Sequence, residues 1–209
     1  GVIVDRAPTD SDANDLDEDD DGISDSAESA GVINSFGSAP AILVGSASRS
    51  ISLGAVGTGA DAFGFINRGN IASQGVYAGI SANAVVFGGN PGQTVSVDGG
   101  IRNDGTVAAL SRDANSTAFR LGEGVSAPVF FNSGAITAGV ASASAASAAA
   151  TAILIETGAS VATLTNDGSI LASAGGGVAN VTAIQDLSGS LTSITNTRSL
   201  QATLGANAA

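Results

Sequence analysis

Residues 101–107 read Ile101-Arg102-Asn103-Asp104-Gly105-Thr106-Val107. The same phrase, apolar-x-Asn-x-Gly-x-aliphatic, returns at Phe65-Ile66-Asn67-Arg68-Gly69-Asn70-Ile71, at Phe130–Ile136 and at Leu164–Ile170. A further copy, Ile194–Leu200, carries Arg198 in the glycine position, and a degenerate first copy sits at Val32-Ile33-Asn34. Asn34, Asn67, Asn103, Asn132, Asn166 and Asn196 therefore recur 29 to 36 residues apart. Self-similarity at such a period is the mark of a stacked repeat, and it takes precedence over any local reading.

Between the asparagines lies a second motif: Ala118-Phe119-Arg120-Leu121, Ala152-Ile153-Leu154-Ile155 and Ala183-Ile184-Gln185, with looser copies at Ala84–Phe87 and Ala41–Val44. A short aliphatic segment then leads into the next asparagine, as in Val95-Ser96-Val97 and Leu191-Thr192-Ser193-Ile194. Each repeat thus holds about three short segments of period two, separated by Gly, Ser and Asn turns, which is a strand pattern. One such repeat cannot bury its own apolar face, but copies can if each strand pairs with its equivalent one coil away. The expectation is an all-β chain folded as a β-solenoid, or parallel β-helix, of about five to six coils with three short strands per coil. It would stand roughly 25–30 Å tall. Asparagine at a fixed turn would tolerate left-handed backbone and bond its neighbours as a ladder. Glycine two residues on would allow a tight corner. Ala141 to Ala150 has no large apolar side chain and reads as a loop bulging from one coil.

Composition narrows the function. The chain has 209 residues and a net charge of −12, with no His, Cys, Met or Trp, and all seven basic residues are arginine. That excludes a Ser-His-Asp triad, a thiolate nucleophile, a disulfide framework and the usual zinc site. A pI near 4.1 argues against nucleic acid as a partner. The weakly polar stretch Ala138–Ile155 is too poor in large apolar residues to be a transmembrane segment. The chain begins at Gly1 without a basic leader, so a mature form or a fragment is expected.

The charge is concentrated. Residues 1–28 hold eleven acids against Arg6 alone, so the remainder of the chain is close to neutral. Asp17, Asp19 and Asp21 alternate; Gly22, Ile23, Asp25 and Glu28 follow at the spacing of a calcium loop. In that reading the carboxylates converge on calcium, the Ile23 carbonyl supplies one ligand and Glu28 closes the shell with two oxygens. Asp10, Asp12 and Asn14 repeat the spacing upstream and form a candidate second site. No amphipathic helix precedes the loop, so it is free-standing. The division expected is 1–30, an N-terminal strand plus acidic calcium-binding segment, and 31–209, the solenoid.

The phrase Asp19-Asp20-Asp21-Gly22-Ile23-Ser24-Asp25-Ser26-Ala27-Glu28 resembles the thrombospondin type 3 calcium repeats of bacterial surface proteins. From about Val32 onward the chain resembles the β-helical passenger domains of bacterial autotransporters, on the Ile-x-Asn-x-Gly-x-Ile phrase and the Ala-Ile-x-Ile segment that follows it. The resemblance implies an extracellular, cell-surface location and a structural or adhesive role.

Asp104 and Asp167 share one slot two coils apart, about 10 Å in a regular stack. Asn-Asp-Gly is a turn sequence, and Ser133 holds the slot between them, so no catalytic pair is assigned. Arg120 and Glu123 read as a solvent-exposed pair. Tyr77, Phe119, Phe130 and Phe131 are weighed as an aromatic glycan platform, with core filling favoured for the phenylalanines. The reading reached from sequence is a non-enzymatic surface protein that self-associates into a homopolymer through its solenoid ends. Val2, Ile3 and Val4 would serve as an added strand, and calcium would stiffen the acidic segment. A glycan-binding or polysaccharide-cleaving β-helix is the alternative, with surface glycans as the partner.

Overall fold

Short parallel strands gain little alone; their backbone groups are satisfied only when an equivalent strand lies a full coil away. The repeat imposes that arrangement throughout. The computed structural model describes residues 1–7, 12, 14–17, 23–141, 147–176 and 180–205. The first coil comprises β1 (Val2–Val4), β2 (Val32–Phe36), β3 (Ile42–Val44) and β4 (Ile51–Leu53). The second comprises β5 (Phe65–Asn67), β6 (Asn70–Gln74), β7 (Ala82–Phe87) and β8 (Val95–Val97). The third runs through β9 (Ile101–Asn103), β10 (Thr106–Arg112), β11 (Ser116–Leu121) and β12 (Val125–Ser126). The fourth holds β13 (Val129–Asn132), β14 (Ala135–Ala141) and β15 (Ala149–Ile155). The fifth holds β16 (Thr163–Asn166), β17 (Ser169–Ala174) and β18 (Asn180–Asp186), after which β19 (Ser193–Asn196) and β20 (Ser199–Leu204) open another turn.

The strands stack into three long parallel sheets. The first is β1-β5-β9-β13-β16-β19, the second β2-β6-β10-β14-β17-β20 and the third β3-β7-β11-β15-β18. A fourth, short sheet, β4-β8-β12, closes the side. The β-solenoid expected from the repeat is the fold, at about five coils. Among the described residues no helix is long and apolar enough to cross a membrane.

Register explains the repeat residue by residue. Ile71, Val107, Ile136 and Ile170 stack as one fully buried file on the second sheet. Phe65 and Phe87 meet edge to face at 5.3 Å between centroids, and Phe119 and Phe130 do so at 5.0 Å. Phe119 and Phe130 are therefore core, as the strand positions suggested. Alanines 84, 118 and 152 are fully buried and keep the third sheet close to the opposite wall.

Part of the stretch taken for a bulging loop is strand. Ala149 begins β15, and Ala148 and Ala150 are buried; residues 142–146 lie outside the described set. Alanine has enough apolar surface here because its neighbours on the adjacent coils supply the rest of the packing.

Candidate functional site

In the second to fifth coils the first and second sheets meet at a corner of two residues: Arg68-Gly69, Asp104-Gly105, Ser133-Gly134 and Asp167-Gly168. The first coil opens this corner. β1 ends at Val4 and β2 starts at Val32, so the acidic stretch is an insertion between two strands of the stack. Its base is closed: the Gly31 N–H donates to the Asp5 carbonyl at 2.7 Å, and the Asn70 N–H donates to the Gly31 carbonyl at 2.8 Å. Arg68 Nη1 donates to both Asp5 carboxylate oxygens, at 3.2 and 3.3 Å.

This corrects the placement of Val2, Ile3 and Val4. They are not a detached strand beyond an acidic linker; they pair with Phe65, Ile66 and Asn67 of their own chain and begin the first sheet. Sequence hides this because the repeat phrase is split in two by the insertion.

Within the insertion, the Asp25 N–H donates to the Leu16 carbonyl at 3.0 Å, which brings the two ends of the Asp17–Glu28 loop together. Asp25–Ala27 forms a single 3₁₀ turn, and the Glu28 Oε2 atom is shielded from solvent. Asp17, Ile23, Asp25 and Glu28 of the expected calcium loop fall within this described part. Asp19 and Asp21, like Asp10 upstream, lie outside the described residues. Among the described residues no three acidic side chains converge on one point. Asp12 Oδ1 accepts from the backbone N–H of Asn14 at 3.0 Å and its side-chain amide at 3.1 Å; these bonds hold the Asp12 carboxyl below the ordinary range.

The asparagine ladder runs along the same corner. Asn67 Nδ2 donates to Asn103 Oδ1, Asn103 to Asn132 and Asn132 to Asn166, each at 2.7 Å, and Asn166 donates to Asn196 at 2.6 Å. The first four are completely buried. Every amide points the same way, so the bonds polarise one another in series. Asn34 is not a rung. It lies on the second sheet opposite Ala72 and is exposed; Val4 occupies the first rung, opposite Asn67.

Neither the asparagines nor the glycines of this corner adopt a positive φ; among described non-glycine residues only Asp113 does, at 51°. The glycines answer a different demand. A Cβ on Gly105 would lie 2.2 Å from the Gly69 carbonyl oxygen, on Gly134 2.0 Å from that of Gly105 and on Gly168 2.1 Å from that of Gly134. At these levels the coil rests on the previous carbonyl so closely that a Cβ has no room.

Immediately after each rung comes an outward slot, filled in turn by Asp5, Arg68, Asp104, Ser133, Asp167 and Thr197. Carboxylates alternate with donors. Besides Arg68 on Asp5, Ser133 Oγ donates to Asp104 at 2.6 Å and Thr197 Oγ1 donates to Asp167 at 2.7 Å. Asp104 and Asp167 are thus each tied to a hydroxyl one coil on. Arg102 links Asp104 at 2.7 Å to Asp61 at 2.5 Å while lying over the Phe131 ring at 5.1 Å. Partial burial works against its charge, but the two carboxylates outweigh this and raise its pKa. Arg6, Asp61, Arg68, Arg102, Asp104 and Ser133 line an open groove of about 620 Å³.

Comparison with protein-family models, curated proteins and solved structures finds no match. The β-solenoid fold is compatible with surface adhesive or structural proteins.

Two other expectations change. Arg120 pairs with Glu156 on the next coil, through bonds of 2.8 and 3.0 Å, rather than with Glu123. Tyr77 is 76% exposed beside Phe36 and Val76, on the opposite corner of the second sheet from Phe131, so no aromatic platform forms. Sequence reasoning also missed Asp186, whose carboxylate gathers the turn after β18. It accepts from the Ser188 hydroxyl at 2.6 Å, and from the backbone N–H groups of Ser188, Gly189 and Leu191. Slight burial pushes its pKa up, but these bonds outweigh it and hold it below the ordinary range. A carboxylate with a depressed pKa stabilises the fold above its unfolded value, about 3.9, and loses that effect as pH falls through the folded value. Asp186→Ala is therefore expected to cost about 1 kcal/mol at pH 7, and the gap from wild type should close in acid. Melting temperatures measured from pH 7 down to pH 2 check this.

Proposed function

We propose that this chain is a non-enzymatic structural or adhesive element of a bacterial cell surface, extended by end-to-end self-association and stiffened by calcium at its acidic insertion. The observation that carries the reading is the state of the two ends. Ile194 and Leu200 occupy the core files of Leu164 and Ile170, yet they are 50% and 38% exposed where those two are buried. At the other end Ile33, Ile42, Val44, Ile51 and Leu53 pack on the core with one side open. Among the described residues the outer edges of β1, β2, β19 and β20 have no strand partner, and proteins cover or use such edges. The likeness to autotransporter passengers supports the same role. Light scattering and electron microscopy of the concentrated chain with calcium are expected to show elongated assemblies. A monomer at every concentration would sink this reading.

Asp17, Asp19, Asp21, the Ile23 carbonyl, Asp25 and Glu28 would hold a calcium ion, and Asp10, Asp12 and Asn14 a second, as the likeness to thrombospondin type 3 repeats suggests. The metal would cancel part of the repulsion among the acids of a loop whose base is already closed by Asp5 and Gly31. Calcium at a hundred times its dissociation constant should stabilise the fold by about 2.7 kcal/mol. The test is the melting temperature with calcium and with a chelator; Asp17→Asn and Glu28→Gln should each abolish the difference. An equal response in the variants would place any calcium effect elsewhere.

The groove around Arg102 favours one second reading, a polar ligand such as a surface glycan. Alternating guanidinium, carboxylate and hydroxyl groups suit sugar hydroxyls. Glycan binding lost in Arg102→Ala would support it.

A further inference from the structure

We propose that copies of this chain stack head to tail, with β19 and β20 of one copy pairing in register against β1 and β2 of the next. This rests on the assembly reading and gives it a polarity and a register. Ile194 would meet Val2 of the next copy, Leu200 would meet Ile33, and Gln201 would lie beside Asn34, continuing the files of the first and second sheets. In the third sheet the last described strand is β18, one level short, so the junction is built by the first two sheets.

Three features select this polarity. First, the outward slots alternate between carboxylate and donor from Asp5 to Thr197. The next copy's Asp5 would follow Thr197 just as Asp167 follows Ser133 inside the chain. Second, charge at the shared corner is complementary. Arg198 is exposed and forms no ion pair among the described residues, whereas the opposite end carries Asp5 and the acidic insertion. Stacking head to head would bring two acidic insertions together, and stacking tail to tail would oppose two copies of Arg198. Third, Gly31 continues the corner glycines at a level where its own chain crowds it less than it crowds the others. A Cβ there would meet nothing closer than 3.1 Å, against 2.0 to 2.3 Å at Gly69, Gly105, Gly134 and Gly168. Glycine at that level leaves room for the Arg198 carbonyl of a preceding copy. The amide ladder stops at the junction without a loose end, since Asn196 Nδ2 donates to the Arg198 carbonyl of its own chain at 3.0 Å.

The absence of cysteine makes a direct test possible. Asn34 and Gln201 are exposed and stand at opposite ends of the second sheet, roughly 24 Å apart within one chain, too far for an internal bridge. Across the junction their Cα atoms would be about 4.8 Å apart, within disulfide range. Oxidation of the double variant Asn34→Cys with Gln201→Cys is expected to give a ladder of covalent multimers that collapses on reduction, while each single variant stays uncrosslinked. Arg198→Glu should weaken assembly about tenfold without changing the melting temperature of the dilute monomer. Dimers from Gln201→Cys alone or Asn34→Cys alone, with no ladder from the pair, would mean that like ends meet. That overturns the polarity and leaves self-association standing. Assembly by light scattering with no crosslink in any variant would put the contact on another face and overturn the register. Monomers throughout would overturn both readings.

Discussion

Gly134→Ala is expected to destabilise the fold by more than about 4 kcal/mol, and at 37 °C to leave much of the chain unfolded. The added methyl would sit 2.0 Å from the Gly105 carbonyl oxygen and 2.7 Å from the Asp104 carbonyl carbon. Neither is a movable side-chain tip. The Gly105 carbonyl is held by the Ala135 N–H at 2.8 Å, and Asn103 and Asn132 join the same two coils from inside the corner. Relief requires the coils to part by about an ångström, against strand pairing on both sides of the corner. Left-handed strain is no part of the effect, because Gly134 does not have a positive φ. Gly54→Ala is the control: nothing lies within 4 Å of its added methyl and its φ is ordinary. That variant should gain about 0.4–1 kcal/mol from a less flexible unfolded chain. Urea denaturation followed by circular dichroism compares the two. A Gly134→Ala midpoint within experimental error of wild type would show that the corner yields freely. Arg198 shows what yielding looks like: at that level the Ser199 N–H to Gly168 bond lengthens to 3.2 Å, against 2.8 Å for Ser169 on Gly134.

The fold was legible because one buried amide per coil, with glycine two residues on, is a pattern that only stacking rewards. Five of the six predicted ladder asparagines are rungs, and the sixth fails for a definite reason. Val32-Ile33-Asn34 looks like the start of the phrase and stands 33 residues before Asn67, a normal period. The phrase, however, covers the end of one strand, a corner and the start of another. In the first coil the insertion separates those parts, so Val32 is the residue after the corner, aligned with Asn70. Sequence periodicity measures distance along the chain and cannot tell which half of a divided phrase survives. The same limit applies to Arg120. Its nearest acid in sequence is Glu123, but a coil places residue 156 directly beside residue 120. The corner glycines were found for the wrong cause, since a tight turn and a close carbonyl select the same residue.

Charge placement follows from stacking. Identical residues one coil apart lie within about 5 Å of each other, where like charges repel strongly. The outward slot avoids this by alternating Asp5, Arg68, Asp104, Ser133, Asp167 and Thr197, and Arg102 bridges Asp61 and Asp104 across the face. Most of the acidic residues fall instead in the stretch of sequence between β1 and β2, outside the strand repeat to which the rule applies.

Asn132→Asp should isolate what the amide ladder contributes, because the two side chains are nearly isosteric. Asn132 is fully buried, accepts from Asn103 Nδ2 and donates to Asn166 Oδ1, both at 2.7 Å. An ionised aspartate keeps the first bond and replaces the second with two oxygens facing each other at hydrogen-bond distance. It also buries a charge with no cation beside it. The expected cost at pH 7 is about 3–5 kcal/mol. Burial and the facing oxygen raise the folded pKa of the new carboxyl above its unfolded value near 3.9. Below the unfolded value the group is protonated in both states and can donate to Asn166 in place of the amide. The penalty relative to wild type should therefore shrink as pH falls and grow as pH rises through the folded pKa. Asn132→Leu, which can neither donate nor accept, should cost about as much at pH 7 and show no such recovery, because Asn103 and Asn166 lose their partner at every pH. Urea midpoints for the three chains at pH 4 and pH 7 decide the matter. Parallel pH profiles for the two variants would mean that the ladder acts through packing volume, and the directional run of amides from Asn67 to Asn196 would then carry no energy of its own.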